Sequence, residues 1–375
     1  MNESLHIVLG LVAIVWTSLY LVYWFRIIAF FNTQSLPTGK IPSNTLEIIC
    51  VFRNESTNLP SFLDHALKIL QTLPVKIRLI DDHSEDNGKE IIAHHKINKH
   101  HSFEYLHAPK KISGKKACLD WAIKNSPYPI ILTTDADCEM HANATAKLYY
   151  FLENTQSHLV LGLVRFDSGS TYLESYQRIE NTALVALSTY DANRSQPTMG
   201  NAANMIFRKA AFLETNPYQE SMHISGGDDI FLIQAFQKQG FRIAYTNDIN
   251  TSVITSVLKN WKSFWHQRIR WAQKSKFQKF GNTQKSQILF VVYVVYLWGV
   301  SIHMVFEQAY VFAFLCWCFK LGGETLFIRK MFQKIHQKPP TVIQILAASL
   351  LQSLFVPIVA IAQFAVPVHW KGRKL

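Results

Sequence analysis

A few short stretches carry most of the chemistry that this chain of 375 residues can offer. In "TTDADC", Asp135 and Asp137 stand two apart at the end of an apolar run. Residues i and i+2 of an extended chain share a face, so both carboxylates can meet one ion. Oxygen-only ligands suit Mg2+ or Mn2+, which typically sit between carboxylate and phosphate oxygens. The same pair also suits a solvated turn, where aspartate is common. In "RLIDDHSED", a carboxylate such as Asp82 at a strand end can accept from a ribose hydroxyl or a base N–H, and again a plain turn fits as well. "SGKKACLD" offers Lys115 and Lys116 beside Gly114 at a helix start, where ammonium and free N–H groups favour a phosphate. The P-loop spacing is absent, and a solvated basic loop is the other reading.

Two further stretches complete the set. "SGGDDIFL" places Asp228 and Asp229 before an apolar run, with Ser225 or the glycines free to make a tight approach. The pair suits a helix start, where acidic groups complement the dipole, or a carboxylate pair held over a reaction centre. "QRIRW" joins Gln267 and Arg270 to the flat ring of Trp271. Arginine suits a diphosphate, and a tryptophan face suits the apolar side of a sugar ring. Most of the surrounding basic amphipathic segment also fits a helix lying on a membrane surface.

These groups need elements that bring them to one edge. Between about Leu46 and Asn250, short apolar runs alternate with helix-length amphipathic segments. Strands are expected at Leu46–Phe52, Val75–Asp82, Phe103–Ala108 and Tyr128–Asp137, with helices between them. That rhythm predicts an α/β domain with a mostly parallel sheet covered on both faces. Ligands of such sheets bind beyond the carboxyl ends of the strands. Arg53-Asn54-Glu55, Asp81-Asp82 and Asp135-Ala136-Asp137 fall at those ends. The helix that opens at Asp228 is expected to stop at Gly240.

The apolar residues concentrate at the two ends of the chain, although mean hydropathy is only +0.05. Ile7–Phe25 carries no charge and has about the length, roughly 20 residues, that spans a bilayer core. Ile288–Phe306, Ala309–Phe319 and Val342–Val366 follow late in the chain, the middle one short. Two to three of these blocks are expected to cross the membrane. The net charge of +12 raises the question of nucleic acid. The positive-inside rule explains it more simply, through Arg26 and Lys40 after the first span and Arg329, Lys330, Lys334 and Lys338 before the last. No nucleic-acid partner is expected. The five cysteines, Cys50, Cys118, Cys138, Cys316 and Cys318, form no metal-ligand spacing and no disulfide framework.

Taken in order, "VFRNES", "IDDHSED", "GKKACLD", "TTDADC", "GNAANMIFRKAAF", "GGDDIFL" and "QRIRW" resemble the membrane-bound family 2 glycosyltransferases, which include cellulose, chitin and hyaluronan synthases. The resemblance implies a GT-A fold, a nucleotide-sugar donor (usually UDP-linked), a divalent cation, Mg2+ or Mn2+, and inversion at the anomeric carbon. It puts Arg53, Asp82, Lys115 and Asp135 at the donor nucleotide, and Asp137 with Asp135 at the metal. Asp229 matches the general base, and Asp228 stands where glutamate is usual. Gln267, Arg270 and Trp271 match the motif that holds the diphosphate and shapes the acceptor end. The implied organisation is a membrane helix over 1–31, a cytoplasmic GT-A domain over 32–254, an interface helix over 255–284 and a membrane region over 285–375. The implied acceptor is lipid-linked or a glycan, at the cytoplasmic face of a bacterial inner membrane. The alternative is an inactive, membrane-anchored sugar-nucleotide-binding subunit.

Overall fold

The computed structural model describes residues 2–31, 39–167, 171–194, 197, 199–224, 226–275, 277, 282–366, 369–370 and 373–374. Ser225, one of the residues expected to shape the approach to Asp228, lies outside them. Along the chain run α1 (Asn2–Phe30), β1 (Leu46–Phe52), α2 (Leu59–Thr72), β2 (Lys76–Asp81), α3 (Gly88–His94), β3 (Phe103–His107), α4 (Lys115–Lys124) and β4 (Ile130–Thr134). Next come β5 (Cys138–Glu139), α5 (Ala142–Asn154), β6 (Leu159–Leu161), β7 (Val164–Phe166), α6 (Tyr172–Asn193), β8 (Met205–Arg208) and α7 (Lys209–Thr215). The last are α8 (Asp228–Lys238), β9 (Ile243–Tyr245), β10 (Val253–Thr255), α9 (Trp261–Ser275), α10 (Asn282–Phe306), α11 (Tyr310–Lys334) and α12 (Val342–Ala362). The chain divides into two compact units: Thr33–Asp167, Asp191–Val257 and His369–Leu375 form one, and Met1–Asn32, Ser168–Tyr190 and Leu258–Val368 the other.

The first unit is built on a seven-stranded sheet in the order β3-β2-β1-β4-β8-β6-β9. Its pairs are parallel except at β8, which runs antiparallel to both β4 and β6. The mostly parallel α/β sheet expected from the sequence is therefore present, with one reversed strand inside it. β1 shows why the sheet is covered twice. All seven of its residues are buried, and alternate side chains enter different cores. Ile48, Cys50 and Phe52 join α2 residues such as Phe62 and Leu63, while Ile49 and Val51 join Cys118 of α4 and Leu232 and Phe236 of α8. A strand buried on both faces reads as a continuous apolar run, and burying each large apolar side chain contributes about 1.5–3 kcal/mol. β5, β10 and β7 form a smaller sheet.

Among its described residues the second unit contains four helices long and apolar enough to cross a membrane: Ile7–Ala29, Gln287–Phe306, Tyr310–Lys334 and Val342–Ala362. Leu11, Val15 and Leu19 of α1 are more than half exposed, as suits a helix facing hydrocarbon. On its other face Tyr20 stacks on Tyr293 of α10, and Thr17 shares a hydrogen bond with the Tyr293 hydroxyl (2.9 Å). The block that ends at Phe319 on hydropathy continues to Lys334 as α11. Lys320 and Glu324 interrupt the apolar run, but they pair with each other at 2.8 Å, and Glu324 also accepts from Tyr20 at 2.6 Å. A charged pair one turn apart costs a helix little when each group has its partner. α12 begins with a capping box between Thr341 and Gln344 and carries Pro357 inside it.

Candidate active site

Five segments meet at the carboxyl edge of the large sheet, those after β1, β2, β3 and β4 and the one leading into α8. β1 and β2 end in turns that are laced together: Asn54 N–H donates to the Ser84 hydroxyl at 3.0 Å, and Glu85 N–H donates to Asn54 Oδ1 at 2.8 Å. Asn54 and His83 both sit in the left-handed region, at φ 52° and 57°, which asparagine tolerates better than histidine. Arg53 closes the arrangement. Its guanidinium donates to the carbonyls of Asp82 (2.9 Å) and His83 (2.7 Å) and pairs with Glu85 at 2.7 Å. In this structure Arg53 thus braces the turn that presents Asp82. The Asp82 carboxylate in turn accepts from the Gly114 N–H at 2.9 Å, linking the second strand end to the start of α4.

The next residue carries the central contact. Lys115 Nζ lies 2.6 Å from Asp135 Oδ1 and 3.0 Å from Asp228 Oδ2. One ammonium therefore joins the D-x-D stretch to the aspartate pair, 93 positions later in the sequence for Asp228 (228 − 135 = 93). Burial alone would lower the lysine pKa, but the two carboxylates outweigh it and hold Lys115 well above its ordinary value. Asp137 takes the opposite course. Although the Asp137 side chain reaches solvent, the protein packed around it first, then the charges of Asp135 and Glu55, push its carboxyl up to about 6. Concentrated carboxylates of this kind are relieved by a divalent cation, and the donor set is oxygen-only, as Mg2+ or Mn2+ requires. Asp137, Asp135 and Glu55 fit that group.

The aspartate pair sits where the helix dipole favours it, at the first turn of α8. Gly227 precedes it at φ 76°, and a Cβ there would lie 2.9 Å from the Phe231 ring, so both backbone and space call for glycine. The two aspartates differ. Asp228 is buried, with its carbonyl accepting from Tyr218 Oη at 3.0 Å, whereas Asp229 is half-buried and accepts from the Ile230 N–H at 2.8 Å.

Sequence reading missed the roles of two residues, Lys116, which it offered to a phosphate, and Arg268 of the membrane-helix unit. Lys116 is buried; its ammonium donates to the carbonyl and hydroxyl of Ser221 and lies 4.3 Å from the Phe231 ring centre. It fastens α4 to the segment leading into Gly226-Gly227 and to α8 itself. A lysine beside another lysine in a basic stretch gives no signal of such a role. The other is Arg268, an interior position of "QRIRW". In the membrane-helix unit, Gln267, Arg270 and Trp271 lie on α9. Arg268 is buried there, pairs with Glu180 of α6, donates to Gln267, and lies 4.2 Å from the ring centres of both Phe264 and Trp271. Trp271, with Arg268 over its ring, keeps 38 % of its surface exposed, and Arg270 is half-buried.

With this geometry in place, comparison with known proteins is direct. Residues 47–215 match the family described as glycosyl transferase family 2. The chain carries a glycosyltransferase domain of that family, on a GT-A fold flanked by membrane-length helices. Among solved structures it is similar to the mannosyltransferase PcManGT from Pyrobaculum calidifontis in complex with GDP-Man and Mn2+. The two are 15 % identical with a TM-score of 0.53, over 94 % of this chain and 99 % of that one. Lesser likenesses are to GalNAc-T7 with UDP, GalNAc and Mn2+ (14 % identity, TM-score 0.45, 62 % of this chain and 49 % of that one) and to S. aureus TarS 1–349 (15 %, 0.42, 88 % and 95 %). No curated protein matches the sequence.

Proposed function

We propose that this glycosyltransferase moves a sugar, with inversion, from a nucleoside-diphosphate sugar to a lipid-linked or polysaccharide acceptor at the cytoplasmic face of a bacterial inner membrane. The observation that carries the reading is the Lys115 bridge between Asp135 and Asp228, which gathers a cationic group, a candidate metal pair and a candidate base onto one sheet edge. In this reading residues 32–254 form the catalytic domain, 255–284 an interface helix and 285–375 the membrane region.

The chemistry then divides among the chain's own residues. Asp229 takes the proton of the acceptor hydroxyl as the acceptor oxygen bonds to the anomeric carbon. The bond from that carbon to the diphosphate breaks, and its electron pair leaves with the nucleoside diphosphate. Asp228, locked by Lys115 and by its helix position, keeps Asp229 aimed. Asp82, on the turn braced by Arg53, contacts the nucleoside, and Lys115 offsets charge near the diphosphate. Asp137 and Asp135 would hold a divalent cation, which when bound neutralises the leaving diphosphate. Gln267, Arg270 and Trp271 take the diphosphate and the acceptor end. The likeness to a mannosyltransferase solved with GDP-Man and Mn2+ supports a nucleotide-sugar donor and a divalent cation. The test is a panel of UDP- and GDP-sugars given to membranes with Mn2+ or Mg2+, read as nucleotide release and product mass. Cation-dependent release from one donor, lost in Asp137→Ala, is expected; release from none, or release indifferent to Asp137→Ala, overturns the reading.

A further inference from the structure

Directly after the D-x-D stretch, side chains alternate across β5 and the residues that follow. Cys138 and Met140 are buried in the core beneath α2, so Glu139 and His141 share the opposite, solvent-facing side. His65 of α2 comes over that side. One ligand atom from each of His65, Glu139 and His141 lies within 4.8 Å of the others. The two imidazoles meet edge to face at 5.4 Å between ring centres, and His65 Nε2 stands 3.9 Å from Glu139 Oε2.

A second observation concerns the other nitrogen of His65. Its Nδ1 lies 2.8 Å from the Ser61 carbonyl one turn back along α2. A carbonyl can only accept, so Nδ1 carries the proton and donates. Nε2 is then the nitrogen that faces the Glu139 carboxylate. An Nδ1–H fixed on a backbone carbonyl, with Nε2 left to face other groups, is the contact that metal-ligating histidines usually show.

We propose that His65, Glu139 and His141 form a binding site for a Zn2+-class transition-metal ion, separate from the aspartates that would hold Mg2+ or Mn2+. Two imidazoles and one carboxylate, with solvent in the fourth position, are a common zinc donor set. Zinc needs its ligands at about 2.0–2.1 Å and hence about 3.3 Å from one another; from 3.9 Å between His65 Nε2 and Glu139 Oε2, and within 4.8 Å for the whole set, all three side chains must draw in on binding. Softer imidazole nitrogens select zinc over magnesium. A bound ion would tie α2 to the segment only two residues beyond Asp137, and so steady the D-x-D stretch.

The experiment titrates Zn2+ alone into untagged full-length protein in detergent, against a chelating dye, with excess Mg2+ present to occupy oxygen-only sites. One Zn2+ per chain is expected, with affinity reduced tenfold or more in each of His65→Ala, Glu139→Gln and His141→Ala and kept in Asp137→Ala. Equal zinc binding by wild type and both histidine variants overturns the proposal, as does its loss in Asp137→Ala. X-ray absorption of the zinc-loaded wild type is independent of how any variant folds: two imidazole ligands are expected, and fewer than two refutes the site.

Discussion

Replacing Lys115 with methionine removes the ammonium that joins Asp135 to Asp228 while keeping the side-chain length. The carboxylate of Asp228 is only 9 % exposed and that of Asp135 32 %, so the two losses differ. A hydrogen bond to a charged group is worth about 1.5–3 kcal/mol, and the more exposed contact is discounted to about 1 kcal/mol by solvent. An upper bound follows from the alternative open to Asp228, which is to hold a proton instead. At a pH of about 7.5 that costs about 5 kcal/mol for a carboxyl of ordinary pKa about 3.9. The variant is therefore expected to lose about 2–5 kcal/mol, or about 4–20 °C in the melting temperature of a unit of this size. Tryptophan fluorescence against temperature, on chelator-treated protein in detergent, measures it. The sign with pH is distinctive. Without the lysine the buried carboxylate of Asp228 has lost its counter-charge and takes up a proton on acidification, whereas wild-type Lys115 stays charged throughout. The gap between the two proteins must therefore shrink as pH falls from about 7.5 to about 5, and Lys115→Arg must recover part of the loss. A gap that is constant with pH, or that widens in acid, would refute the bridge.

Other perturbations probe neighbouring parts. Because Asp137 is pushed up to about 6, a cation must displace its proton below that pH; Mn2+ affinity, followed by electron paramagnetic resonance of free Mn2+, is expected to fall steeply between about pH 7 and 5 and to do so less in Asp137→Asn, where affinity is already weak. Lys116→Met frees the segment before Gly226 and is expected to lower turnover by about tenfold or more, with hydrogen exchange rising around Ser221 and α8; unchanged exchange there counts against its fastening role. Arg78, buried with Glu47 at 3.2 Å and Glu104 at 3.1 Å on the far side of the sheet, tests stability alone: Arg78→Met is expected to cost about 3–5 kcal/mol by leaving Glu47 buried and unpaired. The Glu47 carboxyl is already raised by its burial, so that penalty eases as pH falls towards the raised value.

Much of this arrangement is legible in the residues themselves, for physical reasons. All but one of the residues from Leu46 to Phe52 are apolar, the pattern of a strand covered on both faces, and β1 runs over those same positions. A glycine pair before acidic residues and an apolar helix pattern marks a helix start, and α8 begins at Asp228 and closes near Gly240, at φ 71°. β8 shows the first limit: "MIFR" is apolar either way, and strand direction leaves no mark in so short a run. Lys320 and Glu324 show another, since each charge looks like the end of a span until its partner is seen. His65 and His141 stand 76 positions apart (141 − 65 = 76) and match no short metal motif, so only folding α2 over β5 brings them together. Lys116 and Arg268 are hidden differently. Both neighbour a residue with an obvious role, and their own roles arise from burial that composition cannot register.

The central claim is that the half-buried Asp229, held by the locked Asp228, removes the acceptor proton. Single-turnover kinetics of Asp229→Asn with the accepted donor, alongside donor binding by calorimetry, test it most directly. The account predicts that nucleotide release slows by about 100- to 10,000-fold while donor affinity changes by less than about threefold. Turnover within a few-fold of wild type, or donor affinity falling in step with turnover, would contradict it.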